Sequence, residues 1–424
     1  MREDWIEEEL GKVCFTTSGG TPSRRNSDYY NGIIPWVKSG ELDKGIIYDT
    51  EEKISDEAIK KSSAKLFPKG TLLIALYGAT IGKLAFLGVE ASTNQAICGI
   101  FQSKAVNSNY LYNFLLFKRP KLVSQGTGGA QPNISQTILK KLQIPLAPLP
   151  IQRAIVSKIE TLFSDLDNGI ADLKKAQAQL KIYRQAVLKK AFEGAWKETT
   201  VGDLFDFVGG GTPSKKEKDY WNGDIPWASV KDIKGDYLTS TQDYITNKGL
   251  QKSSSNLALK EEVIIITRIS PGKAILTKID TAINQDLKIA KPKAEMYNRY
   301  IFFLFKSIER ECVKLSSGTT VLGINLQNLK SIQIPDVDRN EQHQIVREIE
   351  SRLSVCDKVE QNITEALNKS EALRQSILKK AFEGKLLSEA EIAQCKQEAD
   401  YEPAQLLLER IKQRKDAMHC VSKQ

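Results

Sequence analysis

The seven residues LKKAFEG occur twice, at Leu188–Gly194 and at Leu378–Gly384, an offset of 378 − 188 = 190. An exact heptamer repeated at that distance in a chain of 424 residues requires a fold made of one unit built twice. Other landmarks keep the offset to within a residue. GGTPS at 19–23 returns at 210–214, and NGIIPW ending at Trp36 returns as NGDIPW ending at Trp227. GATIGKLAF aligns with RISPGKAIL at Lys83 and Lys273, and TNQAI aligns with INQDL at Asn94 and Asn284. QIP closes each copy at Pro145 and Pro335.

Each unit divides in two. Its first part is rich in turns and short apolar runs, such as TLLIALYGA at 71–79 and EVIIITRI at 262–269, which read as strands. SNYLYNFLLFK at 108–118 and residues 298–315 read as helices, so each first part is a mixed α+β globule. The second part is a long amphipathic helix. In one, Ile155, Ile159, Leu162, Leu166, Leu173, Leu180 and Tyr183 recur at helical spacing. In the other, Ile345, Ile349, Leu353, Val359, Ile363, Leu367, Leu373 and Ile377 do so. Pro148 and Pro150 suit a helix entry, and Gly194 suits a left-handed residue at the exit. A helix of that length spans on the order of 60 Å, more than one small core can bury, so the two are expected to pair.

The expected fold class is therefore α+β, with an internal pseudo-two-fold duplication. The expected order is a globule at 1–147, a helix at 148–195, a second globule at 196–335, a second helix at 336–384 and a tail at 385–424. Two helices that each follow a globule would run antiparallel as a coiled coil and set the globules at opposite ends. The tail carries a short amphipathic helix at 402–417, which either caps the long helices or docks a partner.

The net charge of +9 is unevenly spread. Residues 1–150 hold 18 Lys+Arg against 14 Asp+Glu and residues 196–335 hold 20 against 16, whereas residues 336–424 hold 15 against 17. Two basic globules at a fixed separation suit a reader of two half-sites on a DNA duplex, or else a scaffold with two protein-binding heads. The six cysteines, at 14, 98, 312, 356, 395 and 420, lack paired spacing, which points to reduced thiols rather than zinc or disulfides. No apolar run reaches the 18 residues of a membrane span, and MREDWIEEEL has no signal-like apolar core, so a cytoplasmic protein without membrane contact is expected.

Candidate contacts lie where polar and basic residues repeat. The GGTPS turns place Thr21, Ser23, Arg24 and Arg25 in one copy and Thr212, Ser214, Lys215, Lys216 and Lys218 in the other. Hydroxyls and cations in a tight turn suit phosphates or base edges, although a structural turn with a solvated basic flank reads the same way. The tryptophans read as core, and Lys38, Ser39, Ser229 and Lys231 leave that anchor as contact candidates. Lys83, Arg268 and Lys273 are candidate phosphate ligands. Gln131 and Asn133 in GTGGAQPNIS, and Thr319 and Thr320 in SGTTVLGINLQ, could bond base edges from polar loops. The second copy has TTVLGIN where the first has the longer GGAQPNIS, so contacts in one do not transfer to the other.

Chemistry is argued against by absences. GATIGK is one residue short of a phosphate loop, and Leu84 stands where a magnesium-binding Ser or Thr belongs. The 14 prolines form no Pro-Pro pair, which removes the Asp/Asn-Pro-Pro-aromatic motif of amino-methyltransferases. Only two histidines occur, and neither GxSxG nor HExxH is present. Asp336 sits at a helix start without the partner strand of a nuclease.

Taken together, GGTPS and NGxIPW in each globule, PLPIQRAIV, the twin LKKAFEG words and EPAQLLLERIK resemble the specificity subunit of a type I restriction-modification system, over essentially the whole chain. The resemblance implies two target recognition domains, each reading half of a bipartite DNA site, with the coiled coil setting their spacing. It also implies docking of two modification subunits, which bind S-adenosylmethionine and methylate adenine. Restriction subunits using ATP and magnesium would join them, and this chain would hold no cofactor, metal or catalytic residue.

Overall fold

The computed structural model describes residues 2–125 and 133–411. The chain forms two compact units. One takes everything up to Ala171 together with the chain from Leu367 onward, and the other is Asp172–Ala366. Each unit holds one globular head and a pair of long-helix segments.

The first head has three sheets. A five-stranded sheet runs in the order Thr16–Ser18, Ile97–Ile100, Leu72–Ala75, Leu84–Leu87, Ile46–Ile47. A four-stranded sheet runs Lys53–Ile54, Ile34–Val37, Ala91–Thr93, Leu66–Phe67. A ribbon joins Ile6–Glu9 to Gln143–Leu146. Leu72–Ala75 is buried along its whole length, as the unbroken apolar run LLIA requires of a strand covered on both faces. One face meets the helix Ser108–Ser124, whose Tyr110, Phe114 and Leu115 enter the same core. Asn107 caps that helix by accepting from the amides of Asn109 and Tyr110.

The second head repeats this strand for strand. Phe205–Gly209, Leu287–Pro292, Val263–Ile266, Ala274–Thr277 and Tyr237–Leu238 make its five-stranded sheet. Asp243–Ile245, Trp221–Ala228, Thr281–Ile283 and Asn256–Ala258 make the four-stranded one. Both copies use one parallel pairing in each larger sheet, at matching places.

The long helices are Leu149–Ala191 and Arg339–Phe382. A buried glutamine anchors the start of each to its own head. Gln152 donates to the carbonyls of Ala105 and Ala147 and accepts from the amide of Asn107. Gln342 donates to the carbonyl of Val337 and accepts from the amide of Tyr297.

Within the first unit, Ile151, Ile155 and Ile159 share a core with Ile377, Leu378, Ala381 and Phe382, and Asp167 pairs with Arg374. Moving up one helix moves down the other, so the segments are antiparallel. Within the second unit, Leu188 packs with Ile345, Val346 and Ile349, while Arg184 pairs with Asp357 at 2.7 Å and Glu360 at 2.9 Å, again antiparallel. The repeated Phe of LKKAFEG plugs into aromatic cores: Phe382 lies 5.1 Å from Tyr110, and Phe192 lies 5.5 Å from Tyr300.

Along the seam, Ile155, Ile159, Ile345, Ile349, Ile363 and Ile377 are buried, while Leu162, Leu166, Leu173, Leu180, Leu353 and Leu367 are partly covered. Tyr183, Val359 and Leu373 stay exposed. The helix exits also differ from expectation. Gly384 has φ of 73°, and the Lys385 amide reaches back to the Lys380 carbonyl at 2.8 Å, a left-handed closure. Gly194 has no positive φ, because its helix ends earlier, at Ala191, where the Phe192 and Glu193 amides close short turns onto Lys189 and Lys190.

The tail packs on the first unit. Ile392, Cys395, Ala404 and Leu408 join the core beside Trp5 and Ile155. Residues 404–411 are helical, and the remainder of the expected 402–417 helix lies outside the described residues. The tail is also tied by charge. Arg2 bonds Glu389, Asp4 meets Lys396 at 2.8 Å, Lys158 meets Glu391 at 3.0 Å, and Arg153 holds Glu398 and Asp400. The described tail thus covers the junction of head and helix.

Candidate nucleic-acid interface

In both heads the GGTPS turn is fastened in the same way. The buried Trp36 indole donates to the Gly20 carbonyl at 3.1 Å, and Trp227 donates to that of Gly211 at 3.0 Å. The amides of Gly20 and Gly211 return to the carbonyls of Thr93 and Ile283, each at 2.9 Å. A side chain is impossible at these glycines. A Cβ on Gly20 would sit 2.2 Å from the Ser63 carbonyl oxygen, and one on Gly211 2.0 Å from the Ser254 hydroxyl. The IPW tryptophan is therefore the post to which the turn is tied.

The turn next meets the Asn-Gln loop. Thr21 donates to the Gln95 side chain, and Thr212 donates to that of Gln285. The amides of Asn94 and Asn284 bond the carbonyls of Val37 and Ala228, the residues after each tryptophan. From the same loop, contacts lead to further candidates. In the first head the Leu76 amide bonds Ala96, and Tyr77 bridges Asn133. In the second head Thr267 bonds Asp286, and Arg268 bridges Gly323 and pairs with Asp286 at 3.3 Å. The loop thus links the GGTPS threonine to Asn133 in one head and to Arg268 in the other. Thr319 and Thr320 lie exposed in the small turn closed by Ser317 and Gly323, beside Arg268. Gln131 lies outside the described residues.

The cations are held differently in the two heads. Arg24 lies over the Tyr30 ring at 4.2 Å and pairs with Glu52 at 2.6 Å. Lys38 reaches Glu51 at 3.0 Å and Glu52 at 3.1 Å. The Arg24 guanidinium keeps the Glu52 carboxyl below its usual range, and Glu51, with Glu52, pushes the Lys38 ammonium up. Arg25 is exposed beside them. In the second head Lys215, Lys216, Lys218 and Lys231 are all exposed, and Trp221 takes the place of Tyr30 against Trp227. Ser229 is bound to Asp232, and Ser23 and Ser214 accept from amides within their own turns. Ser39, Lys83 and Lys273 are partly covered.

Four kinds of residue at this interface escaped the sequence reading: Gln95 with Gln285, Glu51 with Glu52, Glu41 with Asp232, and Asp286. The carboxylates at 41 and 232 are equivalent braces. Glu41 accepts from the amides of Lys38 and Glu51, and Asp232 accepts from those of Ser229 and Gln242. The duplicated Asn-Gln pair was a visible signal, and the acidic braces had none, since Glu and Asp at different side-chain lengths serve one purpose. No group of three or more His, Cys, Asp or Glu side chains among the described residues could hold a metal. No described helix is long and apolar enough to cross a membrane.

Comparison with known proteins agrees with this geometry. The EcoR124I/EcoR124II specificity subunit of Escherichia coli is 31% identical over 255 residues, covering 57% of this chain and 62% of that protein. The StySPI specificity subunit of Salmonella potsdam is 24% identical and covers 92% of this chain and 90% of its own. The HsdS subunit from Thermoanaerobacter tengcongensis shares the fold with a TM-score of 0.62 at 19% identity, covering 91% of this chain and 98% of that one. A chain from a structural study of complex assembly in the type I restriction-modification system does so at 0.69 and 20% identity, over 91% and 99%. The type I restriction modification DNA specificity domain matches residues 2–175 and again 193–369, so the chain belongs to that family and carries its domain twice.

Proposed function

We propose that this chain, as a type I specificity subunit, reads a bipartite, asymmetric DNA site with one head per half-site. The observation that carries this is the repeated turn. Each head fastens Thr-Pro-Ser to a buried tryptophan and an Asn-Gln loop, then surrounds that shared frame with different side chains. Arg24, Arg25, Lys38, Lys83 and Asn133 serve one half-site. Lys215, Lys216, Lys218, Lys231, Arg268, Lys273, Thr319 and Thr320 serve the other. Thr21, Ser23, Ser39, Thr212, Ser214 and Ser229 lie within the same surfaces. A common frame with divergent contacts yields two unlike half-sites. The paired helices act as the ruler between heads 1–147 and 196–335, and two modification subunits dock along them.

The chain supplies no chemistry in this reading. S-adenosylmethionine belongs to the modification subunits, ATP and magnesium to the restriction subunits, and the assembly works in the cytoplasm. Phosphate neutralisation by the heads releases counterions, so affinity should fall steeply between 50 and 300 mM salt, roughly a thousandfold for about five contacts. Binding that is flat across that range would remove DNA from the account. Shortening both helices by one heptad, within 165–180 and its antiparallel partner, should change the spacer between methylated half-sites and leave their sequences alone. Methylome sequencing reads both quantities. A two-headed protein scaffold would show neither effect.

A further inference from the structure

Each head leaves a groove where it meets its own long helix, about 500 Å³ in the first and about 530 Å³ in the second, but only in the second is the helix carboxylate taken by an arginine of the head. In the second head Arg299 donates to Glu350 of the long helix at 2.8 Å and to the Tyr237 hydroxyl at 2.9 Å. Its guanidinium also lies 5.9 Å from the centre of the Tyr237 ring and 5.7 Å from that of Phe303. Gln152 and Gln342 bond matching amides, at Asn107 and Tyr297, so positions here correspond at an offset of 342 − 152 = 190. Arg299 thus corresponds to Asn109, and Glu350 to Glu160. The first head keeps the carboxylate and loses the arginine.

What remains there is a groove of about 500 Å³ lined by Ile46, Phe86, Asn109, Tyr112, Glu160 and Phe163 among others. Phe86 and Tyr112 stack with centroids 5.6 Å apart, which presents ring surface to the groove's occupant. Glu160 is exposed, with no ion pair or side-chain hydrogen bond among the described residues. Asp167, at the far end, is already held by Arg374, which also covers one side of Phe163 at 4.9 Å. The open carboxylate is therefore Glu160, beside aromatic rings. A planar guanidinium can pair with the carboxylate through its edge while its face lies beside a ring, as Arg299 does in the second head.

We infer that the first head's corner groove is a docking site for an arginine side chain of a modification subunit. The inserted guanidinium would pair with Glu160 beside the Phe86–Tyr112 stack, as Arg299 does internally on Glu350. In the second head the equivalent carboxylate is already taken by Arg299, so the two partner subunits are held unequally. This rests on the reading of the chain as a subunit that recruits modification subunits.

The test uses the full chain co-purified with its modification subunit, followed by titration and native mass spectrometry. Asn109→Arg would place an arginine on Glu160 as the second head does on Glu350, and Glu160→Gln would remove the charge. Each should weaken binding of one of the two modification subunits by about tenfold or more while the other binds as before. Glu160→Gln lies on an exposed face and should leave the melting curve unchanged, which separates lost docking from lost folding. Two modification subunits bound with unaltered affinity by both variants would overturn the groove as a docking site. Failure of the wild-type chain to bind any modification subunit would instead overturn the parent reading, and the groove proposal with it.

Discussion

The two heads share a frame and differ in what they hang on it. Both tie GGTPS to a tryptophan, brace the following loop with a carboxylate at 41 or 232, and lock the long helix with a buried glutamine. Away from these ties they part. The first head pins two of its cations to Glu51 and Glu52, leaves its corner groove open and is covered by the tail. The second leaves Lys215, Lys216, Lys218 and Lys231 exposed and covers its corner carboxylate, Glu350, with Arg299. The difference teaches where duplication stays strict. Buried polar groups must be paired at every step of change, so their partners persist, whereas exposed charges carry little folding energy and are free to diverge.

The largest expected effect tests the shared frame. Trp36→Ala and Trp227→Ala each empty a buried site and orphan a glycine carbonyl, at about 3–5 kcal/mol. Urea unfolding with probes in each unit should show each loss confined to its own head. Comparable losses in both heads from one substitution would mean that the heads are not separate frames.

Gln152→Ala and Gln342→Ala sharpen the comparison. Gln152 satisfies three backbone groups and Gln342 two, so the first should cost more, with both falling at about 1–3 kcal/mol. Equal losses would show that the third bond is inert.

The charge difference predicts opposite responses in DNA binding. Lys216→Ala should reduce the slope of log affinity against log salt by about 1, because that charge is uncommitted. Arg24→Ala should reduce it less, since Glu52 already shares that charge, and Glu52→Gln should steepen it by releasing Arg24, while Lys38 stays on Glu51. A Glu52→Gln slope equal to wild type would show that Arg24 never faces phosphate.

The smallest effect concerns acid. Glu391 is pulled down to about 2, first by the Ser388 amide and hydroxyl and then by Lys158. Asp4, Glu389 and Asp400 are lowered chiefly by Lys396, Arg2 and Arg153. Carboxyls lowered by folding contribute stability that is present above their unfolded range, about pH 4, and lost as pH falls through their folded values. Hydrogen exchange in residues 389–395 should therefore stay slow at pH 5 and quicken between pH 4 and 2. Exchange that is unchanged at pH 2 would show that the apolar contacts of Ile392 and Leu408 hold the tail alone.

Much of this molecule was legible before any coordinates. The twin LKKAFEG words, the 190-residue offset and the isoleucine stripes declared two α+β heads and two long helices. IPW was readable as core because an indole beside proline has little alternative. The contact surface was legible only as residue types. That Thr21 meets Gln95 or that Arg24 is spent on Glu52 depends on partners tens of residues away.

Periodicity, repetition and net charge are local or additive properties, so the chain alone determined the architecture, the duplication and the absence of the motifs sought for chemistry. Which cations remain uncommitted, and which corner carboxylate stays unpaired, are decided by distance between side chains from separate strands and helices. Asn109 and Arg299 look like unremarkable helix residues in isolation. Only their placement beside Glu160 and Glu350 leaves one carboxylate open and the other covered.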